Sequence, residues 1–234
     1  MKLTRRQFAL GLAALPAGCA FQPLAPLRTA AAPAPAMPAA LRPPATGQRW
    51  TYRKYNGFNS ALLATETDEI TALAPHIVIR RRSDAEAATL EEHQQPWGQV
   101  LRDLSWDYVQ NYEQAVPLWP SELTPGARSV HRTRYRIEGF SYRYWITQHT
   151  TVSGWERITL PAGELLALRI EHFIRMEHRD FRRLETVRRD TLWHVPEIGR
   201  WAAREVSGEY LITGRNGGFR GQEENHRWEL MEWS

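Results

Sequence analysis

One cysteine, Cys19, and two lysines, Lys2 and Lys54, are present in 234 residues. A single cysteine excludes an intramolecular disulfide framework, and a lone thiol is a liability in an oxidising compartment unless it is consumed. With so little lysine, arginine carries almost all the positive charge, in side chains suited to forked pairing with carboxylates. Catalytic signatures are missing as well. The sequence holds no Gly-x-Ser-x-Gly elbow, no Ser-x-x-Lys in the folded part, no Gly-x-Gly-x-x-Gly and no phosphate-binding loop. Gly214 to Gly221 is glycine-rich, but it lies between two strand patterns with no helix start, so it reads as a hairpin.

No apolar run is long enough for a membrane-spanning helix, which needs roughly 20 residues. The run from Phe8 to Leu15 instead follows a basic start and precedes the small residues Ala17-Gly18-Cys19-Ala20, the order of an export signal over residues 1–20. Thr4-Arg5-Arg6-Gln7-Phe8 resembles a twin-arginine signal, with Arg5, Arg6 and Phe8 as its reading residues; the general secretory route is the competing reading. Leu15-Pro16-Ala17-Gly18-Cys19 resembles a lipobox in which Cys19 is lipidated, with Pro16 where Leu is usual. Acylation would consume the lone thiol, and Ala20 after it would direct the lipoprotein to the outer membrane. Ordinary cleavage near Ala20, leaving a soluble periplasmic protein, is the alternative.

Residues 21–46 alternate Pro and Ala, a composition that cannot bury a core, and predict a semi-rigid linker spanning up to roughly 80 Å. Residues 47–234 contain all ten tryptophans and are long enough for one domain. Setting aside Lys2, Arg5, Arg6, Arg28 and Arg42 from the 30 basic residues leaves 25, against 26 acidic ones, so this domain is close to neutral. A neutral, exported domain with acids interleaved among the arginine runs at Arg80–Arg82 and Arg182–Arg189 argues against nucleic acid as a partner.

Period-two patterns recur through the domain. Trp50, Tyr52 and Lys54 share a face; Ile77 to Arg82 is a short β-branched run; Trp106, Tyr108, Gln110 and Tyr112 alternate. Phe140, Tyr142, Tyr144 and Ile146 form another face, as do Leu166, Leu168, Ile170, His172, Ile174 and Met176, with Arg169, Glu171, Arg175 and Glu177 opposite. Asp84 to His93 is a helical turn or polar loop. The pattern predicts a mainly β fold with little helix: an antiparallel meander forming a curved sheet or half-open barrel.

The segment Trp155-Glu-Arg-Ile-Thr-Leu-Pro-Ala-Gly-Glu-Leu, followed by Thr191-Leu-Trp-His-Val-Pro-Glu-Ile-Gly-Arg-Trp201, resembles TapB-like and similar domains of unknown function in secreted bacterial proteins. The likeness covers about residues 118–210, with departures at Glu164-Leu165 and at His194. It implies a curved antiparallel sheet comparable with the lipoprotein-carrier half-barrels, and it carries no catalytic residues.

Among candidate site residues, His172 and His178 lie six apart, about 20 Å along a strand, too far to share a metal ion; His172 reads as a core histidine. Trp193, His194, Glu197 and Trp201 form the one polar cluster beside aromatics and the candidate ligand-binding group, with a structural turn as its competing reading. No metal, cofactor or catalytic residue is assigned. The sequence therefore points to a membrane-anchored envelope lipoprotein, a non-enzymatic binder of an apolar ligand or partner protein. The alternatives are a structural accessory of an envelope assembly and, last, a cofactor-loaded enzyme.

Overall fold

The computed structural model describes residues 24–36, 40–214 and 217–234; the export signal, including Arg5, Arg6, Phe8 and Cys19, lies outside them. Thirteen strands follow in order: β1 (Arg28–Ala31), β2 (Arg49–Asn56), β3 (Leu62–Ala72), β4 (Ile77–Ser83), β5 (Leu90–Gln94), β6 (Gln99–Asp103), β7 (Gln110–Pro117), β8 (Arg128–Ile137), β9 (Tyr144–Leu160), β10 (Gly163–Met176), β11 (Arg183–Val195), β12 (Arg200–Gly214) and β13 (Gly217–Trp233). A 3-10 turn, Pro196–Ile198, joins β11 to β12 and is the one helical element among the described residues.

Each strand from β2 to β13 pairs antiparallel with its sequence neighbours, and β13 returns to β2. The sheet is thus a closed up-and-down barrel of twelve strands, where the sequence left it half-open. Closure removes the exposed edges that an open meander would present to other chains. At β9 the edge opposite β10 is shared: Tyr144–Thr151 pairs with β8, and Glu156–Thr159 pairs with β1.

That second pairing alters the reading of residues 21–46. Instead of hanging free, the Pro/Ala-rich segment adds β1 to the barrel, and the Arg42 amide donates to the Pro196 carbonyl at 2.9 Å. Proline and alanine cannot build a core, but an extended segment can satisfy an unpaired strand edge through its backbone alone.

An eight-stranded barrel is just filled by ordinary side chains, and twelve strands enclose more space. Tryptophan, tyrosine and arginine supply the bulk. Trp50, Tyr52, Tyr135, Trp201 and Arg200 are all 0–1% exposed. The inward series is polar at mid-height: Ile70, Asp68, Glu66 and Ala64 along β3, and Leu192, Asp190, Arg188 and Thr186 along β11 are all buried. The outer wall is charged, with Arg175 bridging across to Glu185 and Arg169 reaching both Glu171 and Glu156.

Several sequence patterns end earlier or later than expected. Leu90–Gln94 is a strand rather than part of a helical turn. Phe140 and Tyr142 stand exposed in the β8–β9 turn, and only Tyr144 and Ile146 face inward. On β10 the inward face runs from Leu168 to Met176; Leu165 and Ala167, not Leu166, are buried before it, near a register shift against β9. Trp106 lies before β7, in a loop that decides the shape of one barrel end.

Candidate functional site

The two barrel ends differ. One is sealed by aromatic side chains around the Pro196–Ile198 turn. Trp50 Nε1 donates to the Ile198 carbonyl at 3.1 Å, Trp97 Nε1 to that of Gly199 at 2.9 Å and the Tyr52 hydroxyl to that of Trp201 at 2.9 Å. Tyr52 stacks on Trp201 at 4.1 Å, Trp119 lies against His194 at 4.5 Å, and Trp97 meets Trp119 edge-on at 5.8 Å. Trp50, Trp97 and Tyr52 thus find polar partners while their rings fill space, whereas the buried Trp201 Nε1 has none.

Above the plug lies a waist of ion pairs. Arg81 holds Asp68 in a fork, Nε to Oδ1 at 2.8 Å and Nη2 to Oδ2 at 2.9 Å, and Arg200 adds Nη2 to Oδ2 at 2.7 Å. Burial alone would raise the Asp68 carboxyl, but Arg81 and Arg200 outweigh it and hold it below the usual carboxylate range. Arg204 grips Asp190 in the same forked manner, Nε to Oδ1 at 3.0 Å with Nη2 on Oδ2. His172 donates from Nε2 to the Leu118 carbonyl at 2.9 Å, so its Nδ1 accepts from the Thr150 hydroxyl at 2.9 Å. It is a neutral core histidine, and burial lowers its pKa.

The other end is the mouth, and residues 104–109 fold into it. Asp103 organises that loop: its Oδ1 accepts the Ser105 amide at 2.8 Å, the Asx-turn arrangement, and its Oδ2 accepts Trp106 Nε1 and the Tyr112 hydroxyl, each at 3.0 Å. The loop then reaches the opposite wall. Arg188 of β11 donates from Nη1 to the Ser105 carbonyl at 2.7 Å and lies over the Trp106 ring at 4.1 Å. Two clefts flank the loop and share Trp106, Asp107 and Glu224. One is narrow, with about 20 Å³ of open space, and is walled by Arg188, Tyr135, His178 and Glu223; the other, of about 230 Å³, is walled by Lys54, Glu66, Arg81 and Trp228.

Titratable groups in the first cleft are pushed apart. Burial raises Glu223 to about 7, although Arg183 binds it at 2.6 Å. Burial and a hydrogen bond with Glu224 both raise Asp107 above the usual carboxylate range. Burial opposes ionisation of Glu224 too, yet His226, whose Nδ1 stands 3.1 Å away, and a hydrogen bond with Asp107 bring it down to about 2. His178 falls to about 4 through burial and the Arg183 charge, and its Nδ1 accepts the Asp180 amide at 3.0 Å. Among the described residues, no group of three His, Cys, Asp or Glu side chains is arranged to hold a metal ion.

The cluster named from the sequence is not one site. His194 and Trp201 are register partners inside the plug. Trp193 turns elsewhere, donating from Nε1 to Glu156 at 2.8 Å beside Arg169, and Glu197 is exposed. A register shift between Trp193 and His194 separates the two tryptophans' environments. The mouth residues escaped the sequence reading because they come from loops and from a strand met only as the arginine run at Arg182–Arg189 with its interleaved acids. One signal was present: Thr186, Arg188, Asp190 and Leu192 share strand parity, and a polar series in phase with a leucine marks an interior position.

Fold and site together define a closed antiparallel barrel, sealed by aromatics at one end and open through a charged, aromatic mouth at the other. No family model and no curated protein matches the chain. Among solved structures it is similar to a candidate exported protein with a YmcC-like fold from Bacteroides fragilis, at 13% identity and a TM-score of 0.52, over 84% of this chain and 99% of that one. It is also similar to a candidate lipoprotein from Parabacteroides distasonis, at 12% identity and a TM-score of 0.49, over 82% and 97% of the respective chains. The likeness is one of fold.

Proposed function

We propose that this chain is an exported envelope protein, held to the outer membrane through a lipidated Cys19, whose barrel mouth is a non-enzymatic binding site turned toward that membrane. The observation that carries the orientation is the distribution of exposed apolar side chains. Phe58, Tyr108, Phe140, Tyr142, Phe181 and Phe219 stand on or beside the mouth-end turns; of the large apolar residues exposed in the described structure, only Leu73 and Val130 lie away from that end. Aromatic rings ringing one end suit a membrane interface, where an apolar body and a polar edge are both accommodated.

The start of the described chain agrees. Leu24 donates its amide to the Gly57 carbonyl in the β2–β3 turn, and Arg227 of β13 holds the Ala25 carbonyl at 2.6 Å. Cys19 is five residues earlier, within about 17 Å of Leu24 even if fully extended. An acyl chain on Cys19 therefore leaves from the mouth side. The charged outer wall favours a barrel standing in water over one threaded through acyl chains, which needs an apolar outer band.

As to what is bound, the described lumen is filled by rings and ion pairs, and the mouth is lined by both. That lining favours a ligand or partner segment with an aromatic or apolar body and a charged group over a purely apolar one. A second reading, acid–base catalysis, draws on the Asp107–Glu224 pair, whose titrations are split as in catalytic carboxyl pairs. Mass spectrometry of molecules co-purifying with the protein and with Glu224→Gln separates the two: identical masses support binding, and chemically altered ones support catalysis. Fractionation of Cys19→Ala tests the anchor, which is wrong if that variant stays membrane-bound with its mass otherwise unchanged.

A further inference from the structure

Arg81 and Arg204 each present the Nε and Nη2 edge of the guanidinium to a carboxylate. Arg200 meets Asp68, and Arg227 meets Glu205. Arg188 differs. It is 5% exposed and has no carboxylate within ion-pairing distance among the described residues; Nη1 is taken by the Ser105 carbonyl, and Nε and Nη2 have no protein partner. Those two nitrogens form the same edge that Arg81 and Arg204 use as a fork. Asp190, the nearest candidate along the strand, is already gripped by Arg204.

A buried donor left without a partner costs about 1–3 kcal/mol, more when charged; Arg200 also leaves two, Nε and Nη1, but Asp68 meets its charge, whereas Arg188 has no such carboxylate. Position supplies the reason: Arg188 lines the narrow cleft, whose open space of about 20 Å³ admits an acid group at most, with Trp106 and Tyr108 on the way to the rim. Gln110 Oε1 is a further buried, unpartnered polar atom of that lining, and Thr186 Oγ1 is another at the next inward position of β11. The acids across the cleft have partners of their own, Arg183 for Glu223, and His226 and Asp107 for Glu224. The pull of burial on the Arg188 charge would be relieved by an arriving anion.

We infer that Arg188 is the anion-recognising residue of the barrel mouth, gripping through Nε and Nη2 a two-oxygen acid group, carboxylate or phosphate, on a ligand whose aromatic or apolar body lies at the rim beside Trp106 and Tyr108. The inference rests on the reading of the mouth as a binding site. It adds the ligand's chemical class and a polarity, with the acid group inward and the apolar body toward the rim.

The test uses the full-length chain in detergent, with benzoate, phenyl phosphate and neutral benzamide as probes at constant ionic strength, followed by calorimetry and ligand-observed NMR. The two arms of acid probe separate a carboxylate from a phosphate preference. The expected result is at least about tenfold tighter binding of one acid probe than of benzamide, reduced to the benzamide level by Arg188→Gln. Arg189→Gln, one residue along and on the outer face, leaves it unchanged. Should Arg188→Gln fail to fold, Arg188→Lys carries the comparison, since it keeps a charge but not the fork. Equal binding of benzoate, phenyl phosphate and benzamide, or unchanged acid binding in the Arg188 variants, overturns the inference. If Trp106→Leu abolishes binding while Arg188→Lys does not, the mouth stands as a site and the anion subsite falls; no binding by any probe sinks both.

Discussion

Arg200 and Asp68 meet at 2.7 Å across the lumen, 132 residues apart in sequence, both without solvent exposure. They come from β12 and β3, which have β13 and β2 between them in the sheet, so the contact passes through the barrel interior. Removing one partner of a buried pair strands the other. Asp68→Asn is expected to cost about 3–5 kcal/mol in urea unfolding, since it also releases Arg81. Asp68→Leu combined with Arg200→Met should recover part of that loss; a double variant no better than the sum of the singles would show that the two charges are not coupled.

His194 sits in the plug with neither ring nitrogen partnered, and burial lowers its pKa to about 3. An unfolded histidine takes up its proton near 6.5, so the folded state binds fewer protons between those values. Stability from this site is complete above about pH 6.5 and falls as the pH drops toward 3; at pH 5 the loss is about 2 kcal/mol. His194→Phe keeps a ring against Trp119, and should raise Tm at pH 5 more than at pH 7.5. A Tm gain independent of pH would remove the titration argument.

Glu223 carries the opposite sign. Its folded pKa of about 7 exceeds that of an unfolded glutamate, so its protonated form is favoured on folding, and that contribution fades as pH rises through 7. Glu223→Gln is expected to gain stability relative to the parent above pH 7 and none below about 4.5. Thermal unfolding across that range decides it.

Gly98 has φ +83°, and a Cβ placed there would lie 2.3 Å from Trp119 Cε2. Gly126 has a similar φ, +89°, with open space around it. Gly98→Ala therefore combines backbone strain with a clash in the plug and should cost at least about 2 kcal/mol, against about 1 kcal/mol for Gly126→Ala. Near-ultraviolet circular dichroism should change only for Gly98→Ala. Equal effects would mean that the plug yields freely.

The address and the seat on the membrane can be checked together. Arg5→Lys with Arg6→Lys should block export, as judged by signal processing in cell fractions; normal export would favour the general secretory route. In a Cys19→Ala background, Phe58→Ser with Phe181→Ser should lower partition onto anionic phospholipid vesicles several-fold, whereas Leu73→Ser should not. Equal partition of the two would leave the mouth without its proposed orientation.

Period-two alternation was enough to predict an all-antiparallel architecture, because side-chain direction in a strand is local: Trp50 and Tyr52, or Ile170 and Ile174, mark an inner face with no knowledge of what lies opposite. His172 as a satisfied core residue followed from the same logic. Closure was not local. Whether β13 returns to β2 or leaves a gap depends on summed twist and on the bulk inside, and the Pro/Ala segment could become β1 only because β9 outruns β8 and leaves an edge to fill.

The site was less visible. Trp193, His194, Glu197 and Trp201 are close in sequence, but alternation along β11 puts Trp193 on the face opposite His194, and one register shift turns Trp201 inward to join His194. Arg188, Trp106 and Glu224 lie on three distant segments and meet only once the barrel brings β11, the 104–109 loop and β13 around one opening. By itself the sequence determined the antiparallel class and most of the inward faces, and it offered an export address to be tested at Cys19, all functions of neighbouring residues. Tertiary structure alone decided that the sheet closes, that one end is sealed and that Arg188 keeps an unpartnered fork, because those depend on which distant side chains share a confined interior.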